Sequence, residues 1–113
     1  MQIEKKAEGK IWLITLLPEP SPELASGLLE SLDKAQDDFP EMLLFDFEQV
    51  QIVNSAFIGI IVNLYKKLNE RGSSIAIIRM KKFLRQIFEI ADITSLVNFF
   101  DSYREAEGAV SGR

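Results

Sequence analysis

The sequence predicts an α/β domain built on a mixed, mostly parallel open sheet of about five strands with about four helices. Short apolar runs rich in β-branched residues alternate with segments whose apolar residues recur every three or four positions. Strands joined through helices pair in parallel, with right-handed crossovers. A chain of 113 residues, 47% of them hydrophobic, buries enough surface for one core. We therefore treat residues 1–113 as a single domain, with a frayed tail after about residue 109.

The first two strands are predicted over residues 2–7 and 10–17. The second of these runs is rich in β-branched and aromatic side chains, and it ends at prolines, which cannot continue a ladder. The first run places Ile3 among charged residues, which is typical of an edge strand. We expect the two strands to form a hairpin with its turn at Glu8 and Gly9.

The first helix is predicted to begin at Ser21-Pro22-Glu23. Serine is a favourable N-cap, proline suits the first helical position, and an acid in the first turn is favoured by the helix dipole. Leucines then recur every three or four residues against charged side chains, which indicates one buried stripe. The helix should end near Asp38, before Pro40.

Strand and helix then alternate to the end of the chain. Gly72 stands where a left-handed C-cap closes the second helix, and Asp101 or Ser102 caps the last one. In chain order we predict a strand over residues 41–47, a helix over 56–71, a strand over 74–80, a helix over 82–91, a strand over 96–100 and a helix over 103–109.

The composition excludes most catalytic and metal-binding chemistry. The chain has no cysteine and no histidine, which removes thiolate nucleophiles, Cys/His zinc sites and imidazole acid–base catalysis. None of the six glycines belongs to a phosphate-binding loop motif. We therefore predict no catalytic residue, no metal, no cofactor and no enzymatic activity.

The charge pattern bears on partners and location. The formal net charge is −4 and no long basic run occurs, which argues against direct contact with nucleic acid or an anionic membrane. The sequence shows neither an apolar leader nor a stretch long enough to span a bilayer. These observations favour a cytoplasmic protein.

One serine stands out in the stretch over residues 43–59. An apolar strand ends there, a short loop follows, and a helix opens at Ser55. Taken alone, this serine is most simply an N-cap whose hydroxyl accepts a hydrogen bond from a backbone N–H of the first turn. The free N–H groups at a helix start can also accommodate a phosphate. The two interpretations are compatible, so Ser55 is both a candidate cap and a candidate phosphate acceptor.

Several segments together resemble one known family. Residues 43–47 look like a strand that ends in Asp-Leu in that family, and residues 50–56 look like its hydrophobic loop leading to Asp-Ser-Ser or Asp-Ser-Ala. The strand over residues 75–78 and the helix that follows it are also similar. On these segments the chain resembles the STAS domains, named for sulphate transporters and anti-sigma factor antagonists, and the resemblance covers nearly its whole length.

The resemblance implies an anti-sigma factor antagonist that acts by partner switching. In such proteins an anti-sigma factor, usually also a serine kinase, binds the unphosphorylated domain and releases its sigma factor. Phosphorylation of the serine that matches Ser55 reverses the binding. The expected partner is thus an anti-sigma factor with serine kinase activity, while weak homo-oligomerisation stays open. The residues implied in partner binding are Asn54, Ser55, Ala56, Phe57 and Ile58.

Two positions depart from the family pattern and keep alternatives open. Asn54 stands where the family usually has aspartate, and Phe57 stands where a glycine or small residue usually follows. Phe57 can either fill the crevice or enlarge the partner surface. One alternative is therefore a STAS scaffold or signalling-complex component whose binding does not depend on phosphorylation. Another is a small ligand-binding α/β domain that uses the crevice above the sheet.

Overall fold

The computed structural model describes residues 2–21 and 23–110. Five strands form one sheet in chain order, with β1 antiparallel to β2 and every further pair parallel. The predicted fold class is thereby confirmed. The strands are β1 (Gln2–Lys6), β2 (Ile11–Thr15), β3 (Met42–Asp46), β4 (Ser74–Ile78) and β5 (Asn98–Phe100). The helices are α1 (Glu23–Ala35), α2 (Ser55–Glu70), α3 (Lys82–Ile90) and α4 (Tyr103–Gly108).

The predicted hairpin and helix ends are mostly confirmed. The strands β1 and β2 are joined by a 3-10 turn over Ala7–Gly9. Helix α1 ends at Ala35, earlier than predicted, because Gln36 takes a positive φ of 50° and residues Gln36–Asp38 continue as a 3-10 turn. Pro22 of the predicted helix start and the tail from residue 111 lie outside the described residues.

Helix α2 ends as the glycine in the sequence predicts. Gly72 has a φ of +74°, and its N–H donates to the carbonyl of Asn69 over 3.1 Å. The N–H of Ser73 donates to the carbonyl of Leu68 over 2.9 Å. These two bonds are the Schellman pattern, in which a left-handed residue satisfies the last carbonyls of a helix.

The helices α1, α2 and α3 cover one face of the sheet, and α4 covers the other. The first face carries the larger core, in which Trp12, Phe45 and Ile77 pack with apolar side chains of the three helices. The second face carries a smaller core around Leu44, closed by Ala106 of α4. Within the described residues, no helix is both long and apolar enough to cross a membrane.

The parallel register brings three connections to the same edge of the sheet. Thr15 of β2 pairs with Asp46 of β3, and Asp46 pairs with Ile78 of β4. The carboxyl ends of these strands are therefore level, and the loops that follow them meet above the sheet. In open α/β sheets this edge is where ligands and partners bind.

Candidate functional site

The connection between β3 and α2 lies against the connection between β2 and α1. The N–H groups of Gln51 and Ile52 both donate to the carbonyl of Pro18, over 2.8 and 3.3 Å. Each of the two joined loops carries an exposed aliphatic side chain, since Leu17 is 58% exposed and Ile52 is 53% exposed. Exposed apolar side chains on neighbouring loops are candidates for a protein-binding surface.

The start of α2 corrects the prediction that Ser55 is the N-cap. Asn54 has extended backbone angles, and its side-chain Oδ1 accepts a hydrogen bond from the N–H of Phe57 over 3.0 Å. Asn54 is therefore the cap, and Ser55 is the first residue with helical geometry. The reason is positional: the cap must precede the first helical residue so that its side chain can fold back onto the turn.

The hydroxyl of Ser55 is consequently free for other chemistry. Ser55 is exposed, as are Asn54 and Ala56 on either side, and its Oγ makes no hydrogen bond to any described residue. The first backbone bond of the helix joins the N–H of Ile58 to the carbonyl of Asn54 over 3.2 Å. The N–H groups of Ser55 and Ala56 precede this bond, so they are available to an anion at the positive end of the helix dipole.

Phe57 lies below this surface rather than in it. Its side chain is 1% exposed, and its ring stands edge-on to Phe45 at 6.3 Å and to Phe47 at 5.9 Å between ring centroids. Of the two alternatives left open for Phe57, its ring therefore fills the interior, because the turn of the helix directs this position into the core. Its part in partner binding stays a prediction. Ile58, one residue further on, is half-buried.

An ion pair fixes the ends of β3 and β4. The guanidinium of Arg79 donates to both oxygens of Asp46, from Nη2 over 2.5 Å and from Nε over 3.2 Å. The same carboxylate accepts the N–H of Glu48 over 3.0 Å, so it also orders the start of the loop. The hydrogen bond to Asp46 raises the pKa of Arg79 above its usual value. The guanidinium of Arg79 is therefore held in its charged form.

Lys81 holds the same loop from the neighbouring connection. Its ammonium donates to the carbonyl of Glu48 over 3.1 Å and to that of Val50 over 2.9 Å. Two unpaired carbonyls of the loop are thereby satisfied ahead of Asn54. The loop that presents Ser55 is thus held on one side by Pro18 and on the other by Lys81.

Sequence reasoning located Ser55 but missed the residues around it. The loops that carry Leu17, Ile52 and Lys81 are joined only by tertiary contacts, which no local sequence pattern predicts. Asp46 and Arg79 could have been recognised in the sequence, because each is a charged residue at or directly after the end of a core strand. Charged residues there meet when their strands are parallel neighbours. Within the described ranges, no group of three or more potential metal ligands occurs.

The fold is similar to that of solved anti-sigma factor antagonists. The unphosphorylated form of the anti-sigma factor antagonist SpoIIAA has a TM-score of 0.75 at 16% identity, with 99% of this chain and 98% of that chain covered. The phosphorylated form of the Bacillus cell fate determinant SpoIIAA has a TM-score of 0.71 at 14% identity, with coverages of 95% and 96%.

A third similar structure and the sequence profile agree with this likeness. An anti-sigma-factor antagonist (STAS) domain protein from Planctomyces limnophilus has a TM-score of 0.77 at 21% identity, with 95% of this chain and 96% of that chain covered. A search of curated protein sequences gave no match. The profile of the STAS domain matches residues 6–106, which is most of the sequence, and the chain therefore belongs to the STAS domain family.

Proposed function

We propose that this chain is an anti-sigma factor antagonist that acts by partner switching in the cytoplasm. In its unphosphorylated form it binds an anti-sigma factor that is also a serine kinase, and phosphorylation of Ser55 releases that partner. The protein itself performs no catalytic step. The observation that carries the proposal is the exposed, unbonded hydroxyl of Ser55 at the first position of α2. The loop before it carries the exposed Ile52 and is bonded to Pro18, which follows the exposed Leu17.

The partner surface in this proposal centres on Ser55. Asn54, Ser55 and Ala56 supply its polar and small groups, while Leu17 and Ile52 supply apolar area. Ile58 contributes at the margin because it is half-buried, and Phe57 supports the surface from the core.

The switch follows from the charge that phosphorylation adds. A phosphoserine carries about −1.5 to −2 charges at neutral pH. In the free protein that charge meets the unbonded N–H groups of Ser55 and Ala56, so it is tolerated there. In a complex it would be buried against Leu17, Ile52 and the apolar part of the partner, where burial of an unpaired charge is unfavourable. A penalty of only about 1.4 kcal/mol already weakens binding tenfold.

The asparagine that replaces the usual aspartate is compatible with this switch. Asn54 caps the helix through the same kind of hydrogen bond that aspartate makes. It places no negative charge beside the new phosphate, so like-charge repulsion at the helix start is smaller than it would be beside a carboxylate. The helix start therefore keeps its geometry while it accepts the dianion.

The test combines phosphorylation with binding. The purified chain is incubated with its cognate anti-sigma kinase and ATP, and intact mass and calorimetric affinity are measured. We expect one added phosphoryl group on the wild type and on the control Ser95→Ala, an exposed serine elsewhere, and none on Ser55→Ala. Phosphorylated protein should bind at least about tenfold more weakly. Phosphorylation of Ser55→Ala contradicts the proposal, and tight binding that Ser55 modification leaves unchanged indicates the phosphorylation-independent scaffold instead.

A further inference from the structure

Helix α3 presents an apolar stripe to solvent, away from the surface around Ser55. Phe83 is 52% exposed and Ile90 is 86% exposed, while Ile87 between them is half-buried. The spacings of four and three residues place these three side chains, here called the α3 stripe, along one line of the helix. The core-facing residues Leu84 and Phe88 are fully buried, so the helix is already anchored without the stripe.

The charges of α3 are placed against its own dipole. Its first turn contains no acid and its last turn contains no base. Instead Lys82 is its first residue and Glu89 lies in its last turn, which is the unfavourable arrangement for a single helix. Neither side chain forms an ion pair with a described residue. An antiparallel neighbour with the same sequence would bring each charge to the opposite charge and to the favourable end of a dipole.

We propose that the α3 stripe is the interface with a second copy of this chain, in which two α3 helices pack antiparallel about a twofold axis. The stripe is nearly symmetric about residues 86–87, so Phe83 of each copy meets Ile90 of the other and the two Ile87 side chains lie at the axis. Lys82 on the flank of the stripe faces Glu89 of the second copy. Such an interface is isologous, because one patch is complementary to itself.

The charges of Lys82 and Glu89 favour a second copy of this chain as the partner, rather than an unrelated apolar protein. A single patch that carries a cation at one end and an anion at the other, on the same flank, is self-complementary when it is rotated by a half-turn. The stripe consists of three side chains on one helix, so we expect an interface below the standard size and a weak dimer, with a dissociation constant of roughly 10–100 μM. The stripe lies on α3 and involves none of the residues proposed to bind the anti-sigma factor, so this dimer stands whether or not Ser55 is phosphorylated.

Sedimentation equilibrium of the purified chain over a concentration series tests the interface. We expect reversible dimers of the wild type and a loss of affinity of at least about tenfold for Ile90→Lys. The matched control is Ile52→Lys, the same substitution at an exposed isoleucine on another surface, which should leave the dimer intact. A wild type that stays monomeric through the series, or an equal loss in the control, overturns the proposal.

Charge reversal at Lys82 and Glu89 tests whether the two α3 helices pack antiparallel with these residues opposite each other. Lys82→Glu and Glu89→Lys each place like charges opposite one another in the antiparallel pair, so each should weaken the dimer severalfold, and the double variant should restore it. Each single change also improves the match to the dipole of the isolated helix, so thermal unfolding should show no loss of monomer stability. A double variant that remains as weak as the single variants overturns the antiparallel arrangement.

Discussion

The two helix starts at the carboxyl edge of the sheet are built differently. Helix α2 follows Asn54, whose side chain caps the first turn. Helix α3 follows Lys81, which has the same extended backbone but makes no side-chain cap hydrogen bond. Its ammonium donates instead to carbonyls of the loop before α2. The start of α3 lacks a side-chain cap because an ammonium has no acceptor for a backbone N–H, and Lys81 holds the neighbouring loop instead.

This difference shows that the order around Ser55 depends on residues far along the chain. Asp46 at the end of β3 is held by Arg79 after β4, and the loop that follows Asp46 is held by Lys81. The α2 start therefore combines a satisfied cap, a supported loop and a hydroxyl without a partner. A supported loop that presents one exposed hydroxyl suits the partner surface proposed above.

The largest effect is expected at the third residue of each helix. Phe57 of α2 is 1% exposed and Leu84 of α3 is 0% exposed, so both anchor their helix starts in the core. We expect Phe57→Ala to lower the free energy of unfolding by about 3–5 kcal/mol and Leu84→Ala by about 2–5 kcal/mol. Urea unfolding measures both. A cost for Phe57→Ala well below that of Leu84→Ala would mean that Phe57 is not part of the core.

The second largest loss of stability is expected at the ion pair between Asp46, at the end of β3, and Arg79, directly after β4. Asp46→Ala removes the acceptor of three hydrogen bonds and leaves the Arg79 guanidinium without its carboxylate, which should cost about 2–3 kcal/mol of unfolding free energy. The matched control is Glu48→Gln, because that exposed carboxylate lies 3.9 Å from the same guanidinium. We expect the control to change stability by less than about 1 kcal/mol. Equal losses of unfolding free energy in Asp46→Ala and Glu48→Gln would contradict the view that Asp46 is the main partner of Arg79.

The cap itself gives a smaller effect. Asn54→Ala leaves the N–H of Phe57 without an acceptor and should cost about 1 kcal/mol, whereas Asn54→Asp should leave stability within a few tenths of a kcal/mol. Thermal unfolding measures both. Asn54→Ala should also accelerate amide exchange in the first turn of α2, where Ser55 lies, more than in α3, which has no side-chain cap to lose.

Much of this edge was predictable from the sequence, and the rest was not, for identifiable reasons. Alternating apolar runs predicted the strands and helices, and Gly72 predicted the end of α2 because a left-handed residue is needed there. The contact of Pro18 with the N–H groups of Gln51 and Ile52 joins residues far apart in the sequence, so no local pattern could predict it.

The identity of the cap and the direction of one side chain were also beyond the local pattern. Asn54 and Ser55 are both good caps, and only the backbone angles decide which of them precedes the first helical residue. Phe57 sits on a helix that is apolar on most sides, so its rotation toward the sheet could not be deduced from periodicity. Both outcomes are set by how α2 docks onto β3.

The smallest change in unfolding free energy is expected when Lys81, which precedes α3, is replaced by a residue that can cap the helix, as Asn54 caps α2. Lys81→Ser removes the two hydrogen bonds to the loop carbonyls but gives α3 a residue that can cap it, so the gain and the loss should nearly cancel, within about 0.5 kcal/mol. Lys81→Ala removes the same bonds without adding a cap and should cost about 1 kcal/mol.

Hydrogen exchange separates the contribution of the cap from that of the loop bonds, because both Lys81 variants lose the hydrogen bonds to the carbonyls of Glu48 and Val50. We expect the amides of residues 51–56 to exchange faster in both variants, while only Lys81→Ser slows exchange in the first turn of α3. Unchanged exchange around Ser55 in both variants would show that the loop is ordered without Lys81, and that the start of α3 has no part in presenting the serine.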